Sequence, residues 1–286
     1  MASQVYNIVT DRVLSLLEHG VVPWKRPWAG GEPPANLVSK KPYRGINPFL
    51  LASTGFASPY WLSYKQAQAR GGNVRKGEKS TLVVFWKLWD KETRDAATGE
   101  KSSKRLPILR YYRVFNAEQC DGIDAPKLET IDFEPIERCE SVVSEMPNPP
   151  TITHGEPRAF YRPLTDTVNM PQPEVFNSAP EYYSTLFHEL THATGHVSRL
   201  RRAGIEDVQP SGSSDYSREE LVAEMGAAFL CGHCSIESAT LDNSAAYING
   251  WLRRLRSDPK LVVQAAGLAQ RAADCIRGIT WEGGGK

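Results

Sequence analysis

Long apolar runs are missing from this 286-residue sequence: no stretch approaches the about 18 residues that a membrane span requires. The opening residues also lack the layout of a secretory signal, so the expected place is the cytoplasm. Cysteine is scarce. There are five, an odd number at irregular spacing, which argues against a disulfide framework and suits a reducing compartment. A helix-turn-helix glycine signal, zinc-finger spacing and a long basic helix are all absent, which counts against the common duplex-DNA readers. What is present, 41% hydrophobic residues over this length, suits soluble globular cores and leaves room for two domains.

Histidine is also sparse, six in all, yet two of them fall in Phe187-His188-Glu189-Leu190-Thr191-His192. On a helix, residues four apart lie one above the other, so His188 and His192 can offer two imidazole nitrogens to one ion, with Glu189 beside them as base. Zinc held by two histidines and a third protein ligand keeps an open position, where bound water becomes acidic and a carbonyl is polarised. The expected helix has a start signal in Ser178, Pro180 and Glu181, an apolar face in Tyr183, Leu186, Phe187 and Leu190, and a stop at Gly195.

The third ligand is expected from Ser217 to Met225, where Leu221, Met225, Ala228 and Phe229 make an apolar stripe bordered by Glu220 and Glu224. Two acids beside a core face are costly to bury unless a cation answers them. The reading assigns Glu220 to the metal and Glu224 to the free N–H of a ligand histidine. Two alternatives stay open: Glu220 in a capping box with Ser217, and Glu224 as the ligand. Two imidazoles and a carboxylate accept zinc or manganese. His196 follows Gly195 and is read as structural or as an outer partner of the site. Tyr216 is placed to donate to a tetrahedral oxyanion, with capping or packing as the other role. Cys231-Gly232-His233-Cys234 carries the letters of a disulfide oxidoreductase motif, but at the end of a helix rather than between a strand and a helix start.

The net charge of +1 conceals an asymmetry. Residues 1–115 hold 19 Lys+Arg against 8 Asp+Glu, a net of +11; the remainder holds 15 against 25, a net of −10. That split points to a nucleic-acid-binding part joined to a different module. An amphipathic helix ending at Gly20 comes first. Trp24, Lys25, Arg26 and Trp28 then alternate rings and cations, which suits stacking on unpaired bases and contact with phosphates; packing of both indoles on the core is the competing reading. Lys41, Tyr43, Arg44 and Asn47 follow in a loop, Lys65 on a short helix, and Arg75, Lys76 and Lys79 in a basic turn. A strand from Thr81 to Trp89 pairs with Leu106 to Phe115.

From Asp121 to Pro150 the chain turns acidic and proline-bearing, so the expected division is residues 1–135, a linker at 136–150, and residues 151–286. Ala159 to Met170 reads as short strands, with Thr165 to Pro171 as a free edge for an extended substrate. Trp251 to Arg256 and Leu261 to Ile276 read as covering helices. The fold class is α+β in two domains, a small basic mixed α/β nucleic-acid-binding domain and a domain built on the HExxH helix.

Several stretches, in order and at matching spacing, together resemble ArdC-type antirestriction proteins: Trp24 to Trp28, PYRGIN at 42–47, YWLSYKQA at 60–67, RKGEK at 75–79, FHELTHATGH at 187–196, SRL at 198–200 and EELVAE at 219–224. The resemblance implies an N-terminal domain that binds single-stranded DNA, a C-terminal zincin-like metallopeptidase domain, and carriage on conjugative plasmids or other mobile elements. It implies metal ligation by His188, His192 and an acid of EELVAE, with Glu189 as base. It further implies protection of incoming DNA from host restriction. Three readings follow: coating of entering DNA, DNA-recruited cleavage of a host factor such as a restriction subunit, or a metal kept only to hold two helices together.

Overall fold

A computed structural model describes residues 2–25, 28, 33–94, 101–126, 135–203, 205, 214–236 and 245–280; within these, the side chains of 2, 3, 88–94, 101–107, 135 and 214–216 fall outside the description. Helix α1 (Ala2–Glu18) ends ahead of Gly20, whose φ of +75° lets the chain reverse. Short strand β1 (Ala35–Asn36) and helix α2 (Asn47–Ala52) lead to β2 (Tyr60–Leu62) and α3 (Tyr64–Ala69). A reciprocal capping box starts α3: the Ser63 hydroxyl accepts from the Gln66 N–H and the Gln66 side chain accepts from the Ser63 N–H. After β3 (Asn73–Val74) comes a long hairpin, β4 (Thr81–Arg94) and β5 (Lys101–Asn116), and then β6 (Cys120–Asp121).

Strands β1, β2, β5 and β4 form one sheet in that order, with β1 and β2 parallel and the other pairs antiparallel. At its inner end both faces are covered: Val84 and Leu109 point into the main core, Val83 and Val114 into a cluster with Tyr43, Leu51 and Trp61. Strand β4 is an edge, and Asn47 pairs with it as a further strand would. Its Oδ1 accepts from the Val84 N–H and its Nδ2 donates to the Val84 carbonyl, both at 2.7 Å. Edge groups left bare would cost free energy or invite another chain.

Helix α4 (Pro135–Ser144) follows, then β7 (Thr151–Thr153), β8 (Phe160–Arg162) and β9 (Thr167–Asn169), helix α5 (Ala179–Ala193), α6 (Ser214–Cys234), α7 (Ala245–Ser257) and α8 (Leu261–Ile276). The segment 136–150, read as a linker with some ordered contacts, buries Cys139 and Val142 of α4 and Met146 of the turn beyond it in the main core. One expectation is corrected here. Thr165 to Pro171 offers no open edge, since β9 is the middle strand of β7-β9-β8.

One apolar cluster runs from Val5, Val9 and Val13 of α1 through Trp24, Phe49 and Val84 to α5, α6, α7 and α8. The basic part and the part after residue 135 therefore share a core. Within it α6 lies against both α5 and α8, buried on nearly every side from Leu221 to Cys234. Gly226 lets α5 and α6 approach: a Cβ there would stand 2.4 Å from Thr191 Cγ2.

Candidate metal centre

Helix α5 starts where its sequence provides a cap, the Ser178 hydroxyl accepting from the Glu181 N–H, and Leu186, Phe187 and Leu190 fix its inner face. That orientation leaves His188 and His192 on the side facing α6. Their Nε2 atoms stand 3.2 Å apart, and Glu220 of α6 brings Oε2 to 3.7 Å from His188 Nε2 and Oε1 to 3.7 Å from His192 Nε2. Ligands about 2.0–2.2 Å from a tetrahedral ion stand roughly 3.3–3.6 Å from one another. The three donor groups thus fit a small dication. Among the described residues they are the one group of three or more His, Cys, Asp or Glu side chains close enough to share an ion.

Glu189, buried on the same turn, lies outside this group but near enough for its charge to act on His192. Burial alone would depress the His192 pKa; the bond to Glu219 and the charges of Glu189, Glu219 and Glu220 raise it instead.

The outer partner differs from the sequence expectation. Glu219, not Glu224, meets His192, with Oε1 3.3 Å from Nδ1. This contact fixes the tautomer that leaves Nε2 free for an ion. Behind Glu219 stands the buried Arg202, whose Nε donates to Oε2 at 3.1 Å and whose second guanidinium nitrogen donates to Oε1 at 2.5 Å. Arg202 is itself held by the Thr191 carbonyl and the Thr194 hydroxyl. Burial pushes the Glu219 pKa up, but His192 and Arg202 more than offset this and keep the carboxyl below its ordinary range. Neither residue was singled out from the sequence. Glu219 sits one position, about 100°, from Glu220 on the helix, and only the packing direction of α6 separates their roles.

Glu224, one turn beyond Glu220, accepts from Trp24 Nε1 at 3.0 Å and from the Tyr247 hydroxyl at 2.6 Å. Burial raises its pKa to about 7 despite those two bonds and the nearby His188. His196 points elsewhere, its Nδ1 2.8 Å from the Ser198 hydroxyl and 3.9 Å from Asp166. Tyr216 is within α6 by its backbone, but its side chain lies outside the described residues, as does all of Arg26. Cys231 and Cys234 are buried thiols beside Cys139, whose pKa is raised by its bond to Cys234 and by burial. Low reactivity follows, not redox exchange.

Among the residues assigned to DNA, three are interior. Trp24 is fully buried and edge-on to Trp251, Tyr43 is buried, and Asn47 pairs with β4. Trp28 is half-buried against Phe229. Rings and amides suited to a base are equally suited to a core, which is why composition misplaced them. Lys41, Lys65, Arg75, Lys76 and Lys79 are exposed and Lys25 and Arg44 half-buried; Arg44 pairs with Asp274, and Arg75 with Glu78 and Asp121.

A helix offering His188 and His192, a following helix offering Glu220, and a small strand layer beside them define a zincin-like metallopeptidase domain joined to a basic sheet-bearing part. The zincin-like metallopeptidase family matches residues 138–268, and the N-terminal domain of anti-restriction factor ArdC matches residues 3–115. The crystal structure of antirestriction ArdC protein from the R388 plasmid, metal-free, is 40% identical with a TM-score of 0.74, covering 95% of this chain and 96% of that one. The Mn(II)-bound structure of that protein gives 37% and 0.73, covering 96% and 97%. DNA primase TraC of Escherichia coli is 37% identical over 94% of this chain, which spans 26% of that protein's length. The chain belongs to the ArdC family of antirestriction proteins.

Proposed function

We propose that this protein binds single-stranded DNA and shields incoming plasmid DNA from the recipient's restriction enzymes, acting in the cytoplasm of the recipient cell. We further propose that His188, His192 and Glu220 hold a divalent ion, Zn2+ or Mn2+, for peptide hydrolysis. The observation that carries the second part is the cluster of donors from two helices packed closely at Gly226: the His188 and His192 Nε2 atoms 3.2 Å apart, with one Glu220 carboxylate oxygen 3.7 Å from each. A dication held there would supply an acidified water and a Lewis acid for a peptide carbonyl. Glu189 takes a proton on its carboxylate and returns it to the departing amine. Glu219 and Arg202 keep the His192 ring in place.

The first part is supported by family membership, by the charge of +11 over residues 1–115, and by a R388 relative matched over nearly its whole length. Binding, rather than hydrolysis, is the reading we favour for protection itself. The test is Glu189→Gln, which leaves the three donors intact. The variant should bind Mn2+ or Zn2+ as wild type does and still protect transferred DNA in an in-cell restriction assay, whereas His188→Ala should lose the ion. Loss of protection in Glu189→Gln would make hydrolysis the active principle; unchanged metal content in His188→Ala would remove the proposed centre.

A further inference from the structure

The rings first assigned to bases are buried or, for Trp28, half-buried, but another set is not. The β4–β5 hairpin carries Phe85 (43% exposed), Trp86 (56%), Tyr111 (44%) and Tyr112 (52%), four large rings left in water within two short stretches. Leaving such area uncovered forgoes hydrophobic stabilisation, and a cluster of this kind marks a place where something binds.

Strand register sorts these rings by face. Phe85 lies opposite Arg110 and Val83 opposite Tyr112, and residues two apart share a side, so Phe85, Lys87, Arg110 and Tyr112 all project from one face. The other face carries Val84 and Leu109 into the core, with Trp86 edge-on to Tyr6 of α1. On the first face the Phe85 and Tyr112 rings meet at 5.7 Å between centroids, and Phe85 continues onto Tyr43 at 6.0 Å. Lys87 and Arg110 are exposed and form no salt bridge among the described residues. This face therefore offers two rings, two cations and no described acid.

Tyr43 also walls a cleft of about 240 Å³ in which Lys40, Arg44 and Arg277 face a single acid, Asp274.

We propose that the outer face of the β4–β5 hairpin is a stacking platform for single-stranded DNA, with Phe85 and Tyr112 under successive bases, Lys87 and Arg110 on the phosphates, and the strand continuing past Tyr43 towards the Lys40–Arg277 cleft. This inference rests on the single-strand reading above and gives it a surface. Paired bases present edges, not faces, so the platform discriminates against duplex. An apolar protein partner would leave Lys87 and Arg110 desolvated without acids to meet them.

The test is fluorescence anisotropy with labelled oligo-dT and a duplex of equal length. Phe85→Ala/Tyr112→Ala should weaken oligo-dT binding about tenfold or more, with an unchanged circular dichroism spectrum. Phe85→Tyr/Tyr112→Phe should restore it, and Leu164→Ala, at an exposed position after β8, should have no effect. Arg110→Ala should lower the slope of log affinity against log salt by about 0.7, one phosphate's share, while Tyr112→Ala leaves the slope unchanged. This second readout stands even if the double variant folds poorly. Oligo-dT binding by the double variant at wild-type strength would overturn the platform and spare the single-strand reading; failure of the wild type to bind oligo-dT would overturn that reading itself. Equal losses for duplex and single strand would reduce the surface to simple electrostatics and sink the stacking claim. Loss of self-association with oligonucleotide affinity untouched would reassign the face to a second copy of the chain.

Discussion

Replacing Glu219 by alanine would remove two things at once, because one carboxylate orients His192 and neutralises Arg202. The Arg202 and Glu219 side chains are 6% and 9% exposed, so the guanidinium left behind has little water to turn to. Breaking a buried pair from one side costs about 3–5 kcal/mol. The Thr191 carbonyl and Thr194 hydroxyl still hold Arg202, which places the expected loss near the lower end, about 3 kcal/mol. Against a total stability of about 5–15 kcal/mol this is a large fraction, and urea unfolding in chelator should show a clearly lower midpoint. Independently, loss of the outer hydrogen bond should weaken Mn2+ or Zn2+ binding by about 10- to 100-fold in a calorimetric titration. Glu219→Gln keeps the shape and an acceptor, so it should fall between wild type and alanine on both measures. An alanine variant that unfolds and binds metal like wild type would refute the triad. So would metal loss in Glu224→Ala without metal loss in Glu219→Ala, which would return the outer role to Glu224.

Two further outcomes follow from the packing around the site. Gly226→Ala places a methyl 2.4 Å from Thr191 Cγ2, so α5 and α6 must separate; a stability loss of about 1–3 kcal/mol is expected, with weaker metal binding because Glu220 withdraws from the two imidazoles. An unchanged melting curve would show that the helices are not in close contact there. Glu224, with its pKa raised to about 7 from an ordinary value of 4.5, binds more protons folded than unfolded, so metal-free stability falls as pH rises from 4.5 through 7. Glu224→Gln should remove that dependence, gaining on wild type by on the order of 3 kcal/mol across the window. Reading the difference between the two proteins cancels the opposite effect of His233, whose lowered pKa makes stability rise with pH from about 4 to 6.5. A flat difference would show that Glu224 titrates normally.

Helix α5 was legible because its signals are local: a cap at Ser178, histidines four apart, and an apolar face of Leu186, Phe187 and Leu190. So were α1, α8 and the hairpin, whose periods are plain in sequence. Which acid stands behind His192, Glu219 or Glu224, was not, because α6 from Leu221 onwards is enclosed by neighbours on nearly every side and gives few bearings. An apolar stripe read there describes one packing side among several. Trp24, Tyr43 and Asn47 were misplaced for a related reason: each has a polar group that a nucleotide would satisfy, and each finds its partner inside the fold, in Glu224, Asn36 and Val84. The exposed rings of the hairpin gave no such signal, since alternation predicts which side a residue takes but not which side is covered.

Trp24 belongs by position to the cationic first part of the chain, yet it is lodged between Glu224 and Trp251. Cutting the polypeptide between residues 116 and 135 would therefore yield two fragments with bare greasy scars, not two working modules. By mass action, any occupant of the native state, an oligonucleotide at one end or an ion at the other, would raise the melting temperature of the whole.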